Sequence, residues 1–243
     1  IYASTAMRYD IATAEYFYGA STTTRATNTV YSWAANPKTL ETVLDSGGAD
    51  TFDLSNQTKS NKIDLRPGAF SSIGIWSRAD QISYYNGLGY NVSNYLTAAD
   101  ATVTAPSQSI LYTGEDNVAI AYSSTIENAI GGSADDTIIG NSVNNVIEGN
   151  QGNDTIDGGA GSDTAVFNGA YANYTITSNN GLLTVTANTG TDGIDAISNV
   201  EFLEFSDLTY DVALQTTNAT AAGGAIAAAV AGAAQQAGGG GGG

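Results

Sequence analysis

Four residues with oxygen-bearing side chains recur at a spacing of nine in the middle of the chain. Asp136, Asn145, Asp154 and Asp163 each occupy the sixth position of a nonapeptide that opens with glycine, and the four nonapeptides follow one another without insertion or deletion. Carboxylate and amide oxygens are ligands for hard cations, and glycine allows neighbouring carbonyl groups to turn toward the same point. The chemistry that this pattern favours is the binding of a cation such as calcium.

The eighth position of each nonapeptide is apolar, and it is filled by Ile138, Ile147, Ile156 and Ala165. The repeat resembles the calcium-binding nonapeptide of repeat-in-toxin proteins, which implies a six-residue turn followed by a three-residue strand whose apolar side chain enters a core. If two such units make one coil, turns eighteen residues apart stack on the same edge, about 4.8 Å apart like neighbouring strands. Asp136 then faces Asp154 across one gap, and Asn145 faces Asp163 across a second.

The four segments are GGSADDTII, GNSVNNVIE, GNQGNDTID and GGAGSDTAV. They resemble the calcium-binding nonapeptide G-G-x-G-x-D-x-U-x of the repeat-in-toxin (RTX) proteins. The resemblance implies a mainly β protein built on a right-handed parallel β-roll, with flanking strands, a short N-terminal helix and several bound calcium ions. The alternative is that these are ordinary turns, which glycine, aspartate and asparagine favour for local reasons. Four repeats in one register favour calcium binding.

Two further groups of residues are candidates for metal binding. Extending the register backward through 122–130 places Glu127 at position six, where it could share a third site with Asn145, although the turn before Glu127 lacks glycine. Asp45, Asp50 and Asp53 cluster around a Gly-Gly pair and fit a calcium site and an acidic hairpin turn equally well.

Beyond the repeats, the forward register places Ala172 at position six, so the repeat pattern ends there. Asp192 and Asp195 could hold another ion, but as turn residues they have a simpler explanation.

Composition narrows the classes of function. The 243 residues carry 24 acidic and 7 basic side chains, a formal charge of −17, which disfavours nucleic acid and anionic membranes as partners. The chain contains no cysteine and no histidine, so it has no disulfide, no HExxH zinc site and no histidine-dependent catalytic triad. We therefore assign no catalytic residue and no zinc site to this chain, and we expect no membrane span.

Flanking segments carry a second resemblance. STAMRYDIATAEYFYGA is similar to the segment that follows the Met-turn of serralysin-type (M10) secreted metalloproteases. The likeness continues through residues 22–33, 45–55 and 61–74, which resemble the first strands of that family. It implies that Met7 belongs to the connecting segment and that the zinc-binding helix of such a protease would precede Ile1.

The same patterns divide the chain into segments. A helix is expected from Asp10 to Tyr18, and Asn180-Gly181 predicts a type I′ hairpin turn. Residues 77–116 are rich in Tyr and Asn and are interpreted as an insertion, either a long packed loop or, less simply, a contact or sugar-binding surface. The Ala/Gly-rich tail stands where RTX proteins carry an export signal; it is either flexible or ordered against neighbouring subunits. The expected segments are a connecting helix at 1–20, first strands at 21–76, the insertion at 77–116, the RTX β-roll at 117–166, a C-terminal β module at 167–211 and the tail at 212–243.

Three functions fit these expectations. The first is a secreted, non-catalytic calcium-binding module, derived from a serralysin-like protein, that leaves the cell through a type I exporter and folds on extracellular calcium. The second is a surface-layer or filament subunit that self-associates when calcium is present. The third is the C-terminal part of an active zinc metalloprotease. All three place the chain outside the cell or on a bacterial surface.

Overall fold

A computed structural model describes residues 3–91 and 113–219. In these ranges the chain forms helices α1 (Arg8–Tyr18) and α2 (Arg78–Gly87), and a short 3-10 turn spans Tyr171–Asn173. Strands in the first half are β1 (Val30–Ser32), β2 (Glu41–Val43), β3 (Thr51–Asp53), β4 (Lys62–Asp64), β5 (Phe70–Ser71), β6 (Val118–Ile120), β7 (Asn128–Ile130) and β8 (Thr137–Asn141). Those in the second half are β9 (Val146–Glu148), β10 (Thr155–Gly159), β11 (Thr164–Val166), β12 (Tyr174–Asn179), β13 (Leu182–Ala187), β14 (Ile194–Ser198), β15 (Phe202–Glu204), β16 (Leu208–Asp211) and β17 (Thr216–Ala219).

The strands form two large sheets and one small one. The eight-stranded sheet has the order β1-β3-β7-β9-β11-β15-β16-β17, and its pairs are parallel from β1 to β15. The six-stranded sheet has the order β12-β13-β14-β10-β8-β4, and β14, β10, β8 and β4 are parallel. A three-stranded sheet contains β2, β6 and β5. Successive repeats alternate between the two large sheets, as expected for the predicted β-roll.

Apolar side chains at equivalent strand positions stack into a core between the two sheets. In the eight-stranded sheet, Phe52, Ala129, Ile147, Ala165 and Leu203 are in register and buried. In the six-stranded sheet the matching residues are Ile63, Ile138, Ile156 and Ile197. The predicted apolar column is therefore confirmed, and it continues beyond the repeats in both directions.

After β11 the chain leaves the stack as a hairpin and then returns to it. Strands β12 and β13 pair in antiparallel fashion around Asn180 and Gly181, whose φ angles of 52° and 84° are those of the predicted type I′ turn. Strand β14 then joins β10, and β15 joins β11, both in parallel register. The expected burial of Val200, Leu203 and Phe205 is confirmed.

The two helices lie outside this stack. Helix α1 begins two residues before its predicted start and has no buried residue, so Phe17 and Tyr18 are exposed. It is anchored by Arg8, whose guanidinium group lies 4.3 Å from the centroid of the Phe70 ring and donates to Gly68 O.

Helix α2 lies in the predicted insertion, where a long loop was expected. Ser77 caps it by accepting a hydrogen bond from the Asp80 N–H, a local signal that the sequence analysis overlooked. Residues 92–112 of the predicted insertion and the Ala/Gly-rich segment from 220 onward lie outside the described residues. Among the residues that the structure describes, no helix is both long and apolar enough to cross a membrane.

Candidate calcium sites

Polar residues form two columns, one along each large sheet. Each column residue lies where a turn leads into a strand. Residues of the first column come just before the paired positions of strands in the eight-stranded sheet. Residues of the second column come just before the paired positions of strands in the six-stranded sheet. The strand register assigns residues to each column. If two strands pair in register, the residues that precede their paired positions lie next to each other at the same end of the strands. The first column is Asp50, Glu127, Asn145, Asp163 and Glu201, and the second column is Asn61, Asp136, Asp154 and Asp195.

In the second column, each backbone N–H donates to the side chain of the next residue in the column. Asn61 N donates to Asp136 Oδ1 at 2.7 Å, and Asp136 N donates to Asp154 Oδ1 at 2.8 Å. Asp154 N in turn donates to Asp195 Oδ1 at 2.8 Å. Asp136 and Asp154, which the sequence predicts as one pair, are therefore direct neighbours.

The first column follows the same pattern except at Glu127, whose N–H donates to Asp50 O at 3.2 Å. Asp50 N donates to Glu127 Oε2, Asn145 N donates to Asp163 Oδ1, and Asp163 N donates to Glu201 Oε2, each at 2.7 Å. Asn145 Nδ2 donates to Glu127 O at 2.8 Å. The structure thus brings together both pairs expected for Asn145, one with Asp163 and one with Glu127.

Several column carboxylates have an oxygen that no protein group satisfies. In the described ranges 3–91 and 113–219, the buried side-chain oxygens without a hydrogen-bond partner include Oδ2 of Asp50, Asp154 and Asp163. A buried, unpaired carboxylate oxygen is costly, and a bound cation is one way in which proteins satisfy it. These oxygens therefore fit a metal-binding role.

Glycine at position one leaves room beside these oxygens. A Cβ atom added to Gly140 would lie 2.6 Å from Asn145 Oδ1, and one added to Gly158 would lie 2.8 Å from Asp163 Oδ2. At Gly149 the added atom would overlap Asp154 Oδ2. The tightest contacts at Gly140 and Gly158 are backbone ones, because the added atom would overlap Gly158 O and Asn199 O, respectively. The glycines are therefore required both for the close stacking of the turns and for the space beside the column oxygens.

The electrostatics of the columns fit the binding of a cation. Burial, together with the nearby like charges of Asp195 and Asp136, raises the pKa of Asp154 to about 8. Burial likewise raises the pKa of Asp136 to about 6 and that of Asp195 to about 7. Carboxyl groups that resist ionisation at neutral pH become ionised when a cation binds beside them, because the opposite charge favours the charged form.

The early acidic cluster is only partly assembled. Burial raises the pKa of Asp50 to about 7, with Asp45 and Glu127 adding like charge. Asp45 is buried and accepts a 2.6 Å hydrogen bond from the Tyr31 hydroxyl group. Asp53 lies at the other end of β3, where its Oδ1 accepts from Ser55 N at 3.0 Å. The structure therefore brings Asp45, Asp50 and Glu127 together and separates Asp53 from them.

Across residues 3–91 and 113–219, no group of three or more His, Cys, Asp or Glu side chains is placed to hold a metal ion. A cation site in this part of the chain must therefore combine one or two carboxylates with main-chain oxygens, as glycine-rich calcium sites do.

Sequence reasoning assigned no column position to Asn61, Asp195 and Glu201. A signal for each was present: a polar residue, then any residue, then a core apolar residue, as in Asp195-Ala196-Ile197. For Asp195 and Glu201 it was not recognised because the β12–β13 hairpin breaks the nine-residue period, and for Asn61 because 75 residues separate it from Asp136.

Comparison with known proteins agrees with this geometry. Residues 130–165 match the RTX calcium-binding nonapeptide repeat family, in four copies, and residues 7–87 match the peptidase M10 serralysin C-terminal family. Serralysin from Proteus mirabilis is 35% identical over 149 residues, which are 56% of this chain and 23% of the relative. Serralysin from Photorhabdus sp. (strain Az29) is 34% identical over 150 residues, 57% of this chain and 23% of the relative.

The chain thus spans less than a quarter of the length of these relatives. Among solved structures, the extracellular lipase LipA from Serratia marcescens is matched over 61% of this chain and 32% of the lipase. Its identity of 14% and TM-score of 0.26 are too low to support a structural argument. The sequence matches and the repeat geometry together show that the chain carries RTX calcium-binding repeats joined to a serralysin-like C-terminal region.

Proposed function

We propose that this chain is a secreted calcium-binding module, without catalytic activity of its own, that folds when calcium fills the gaps along the two columns. The observation that carries the proposal is the set of buried carboxylate oxygens without partners at Asp50, Asp154 and Asp163. These three residues recur at equivalent places in the stack, so the requirement for a cation is repeated along it.

The proposed ligands are Asp136 with Asp154, Asn145 with Asp163, and Glu127 with Asp50, each completed by main-chain oxygens. Without calcium, buried carboxylates along the columns repel one another and oppose folding. We further propose that the chain leaves the cell unfolded through a type I exporter, the route that its resemblance to RTX proteins implies. The cytosol holds little free calcium, whereas extracellular calcium modules have dissociation constants of about 10⁻⁴–10⁻³ M.

Sedimentation velocity during a calcium titration of chelated protein tests the proposal. The expected result is a change from an expanded chain to a compact monomer in the millimolar range. A chain whose sedimentation coefficient ignores calcium would contradict the proposal. Growth into large particles would instead support a surface-layer or filament subunit that assembles with calcium.

A role within a longer zinc metalloprotease is the second candidate, and the serralysin relatives favour it. This chain has no histidine for a zinc site, so any such activity belongs to other residues of a longer polypeptide. A protease assay on the full gene product with and without a zinc chelator distinguishes the two candidates.

A further inference from the structure

The second column continues past the last repeat to a residue that no repeat contains. Asp195 is separated from Asp154 by 41 residues instead of 18, yet Ala196 pairs with Thr155 just as Thr155 pairs with Thr137. Asp195 is buried, and its Oδ1 accepts the Asp154 N–H as Asp154 Oδ1 accepts the Asp136 N–H. The step from Asp154 to Asp195 therefore repeats the step from Asp136 to Asp154.

Asp154, the residue shared by this step and the one before it, carries an oxygen without a partner. Asp154 is 1% exposed and uses Oδ1 for Asp136 N, while its Oδ2 accepts no hydrogen bond. Asp154 is the residue that stands between Asp136 and Asp195. A single ion between Asp136 and Asp154 would leave the carboxylates of Asp154 and Asp195 adjacent, buried and without a cation of their own.

The turn that leads into Asp195 also stacks on the turn of the last complete repeat. Gly152 N donates to Thr191 O at 3.3 Å, and Ile194 N donates to Asn153 Oδ1 at 2.9 Å. Gly193 has a φ of 75°, and a Cβ atom there would overlap Gly152 O. The two turns thus approach as closely as two repeat turns do, which brings main-chain carbonyl groups such as Gly152 O and Thr191 O to the contact between them.

From this geometry we infer a closing calcium site between Asp154 and Asp195, which fastens the strand that returns from the β12–β13 hairpin onto the last repeat. It rests on the proposed calcium-binding function and adds a consequence that the repeats alone do not have. The ion holds β14 against β10, so it couples the C-terminal β module to the roll. In the first column the equivalent step leads from Asp163 to Glu201, which is exposed. We therefore place the closing calcium site in the second column, where Asp195 is buried.

Counting bound calcium in matched variants tests the inference. Asp195→Asn keeps the shape of the side chain and an acceptor for Asp154 N but removes the charge. Asp207→Asn removes the same charge from an exposed position that accepts only Tyr171 N at 2.8 Å, and it is the control. Isothermal titration and equilibrium dialysis should show one ion fewer in Asp195→Asn than in the parent and in Asp207→Asn. Hydrogen exchange should show loss of calcium-dependent protection in β14.

Each failure has a separate cause. A parent chain that binds no calcium contradicts both the proposed function and the closing site. A parent that binds calcium, with an ion lost in Asp136→Asn but not in Asp195→Asn, overturns the closing site alone. If Asp195→Asn does not fold, crystals of the parent grown in calcium decide the question. An anomalous-scattering peak between Asp154 and Asp195 supports the site, and peaks elsewhere in the column without one there refute it.

Discussion

Replacement of Asp154 by asparagine should act in opposite directions on the calcium-free and the calcium-bound chain. The folded, calcium-free protein holds Asp154 with a pKa of about 8, mainly because the group is buried. An unfolded aspartate has a pKa of about 3.9. The contribution of protonated Asp154 to the stability of the calcium-free fold is therefore fully present below about pH 3.9 and is lost as the pH rises toward about 8. At pH 7 the penalty is at most about 4 kcal/mol, at about 1.4 kcal/mol for each pH unit between 3.9 and 7.

Asparagine removes this penalty, so the chelated variant should be more compact and more resistant to urea than the parent at pH 7. With calcium the effect reverses, because a charged ligand is lost. Removal of one member of a buried, charge-paired group costs about 3–5 kcal/mol, which corresponds to a loss of affinity of at least about 100-fold. Urea denaturation in chelator measures the first effect, and calcium titration calorimetry measures the second.

The matched control is Asp157→Asn, three residues away in the same repeat. Asp157 Oδ1 accepts from Gly159 N at 3.1 Å and from Asn199 Nδ2 at 2.7 Å, and the side chain lies outside both columns. The control should lower calcium affinity by less than about tenfold, because Asp157 is in neither column and acts on Asp163 only through its charge. Unchanged calcium affinity in Asp154→Asn, or a larger loss in Asp157→Asn, would refute the register on which both columns depend.

Three further results are expected. Gly149→Ala should lower calcium affinity at least about tenfold, because its methyl group would overlap Asp154 Oδ2; Gly87→Ala, which meets no atom within 4 Å, is its control in the same titration. Lowering the pH from 8 to 5.5 should raise the urea midpoint of the chelated protein and weaken calcium binding. The reason is that four column aspartates have pKa values of about 6 to 8, raised mainly by burial, so protonation stabilises the calcium-free fold and competes with the ion. Ile147→Ala should lower the free energy of unfolding in saturating calcium by about 2–5 kcal/mol, measured by urea denaturation, since Ile147 is fully buried between Ala129 and Ala165. A loss below about 1 kcal/mol would show that this core position is not packed as described.

The central repeats show how far sequence alone could go. A period of nine with glycine at position one fixes both which side chain enters the core and which faces the turn. The pairing of Asp136 with Asp154 and the burial of Ile138 over Ile156 therefore follow directly. The hairpin around Asn180-Gly181 was equally predictable, because its turn residues act locally.

Prediction failed where the evidence was not periodic. The insertion was expected to be a loop, and the cap that starts α2 at Ser77 is a short-range signal inside a segment rich in Tyr, Asn and Gly. Asp53 was grouped with Asp45 and Asp50 because it is near them in sequence. A strand of three residues nevertheless carries Asp53 to the opposite edge of the sheet from Asp50.

The sequence by itself determined the calcium chemistry, the repeat register and the apolar column, because each depends on residues at most eighteen positions apart. Only the tertiary structure decided how far the columns extend. Asp50 meets Glu127 from 77 residues away, and Asp195 meets Asp154 from 41 residues away. No local period encodes these distances. These contacts form only when distant strands pair in parallel, because the hydrogen-bond register of the strands then aligns the residues that precede them.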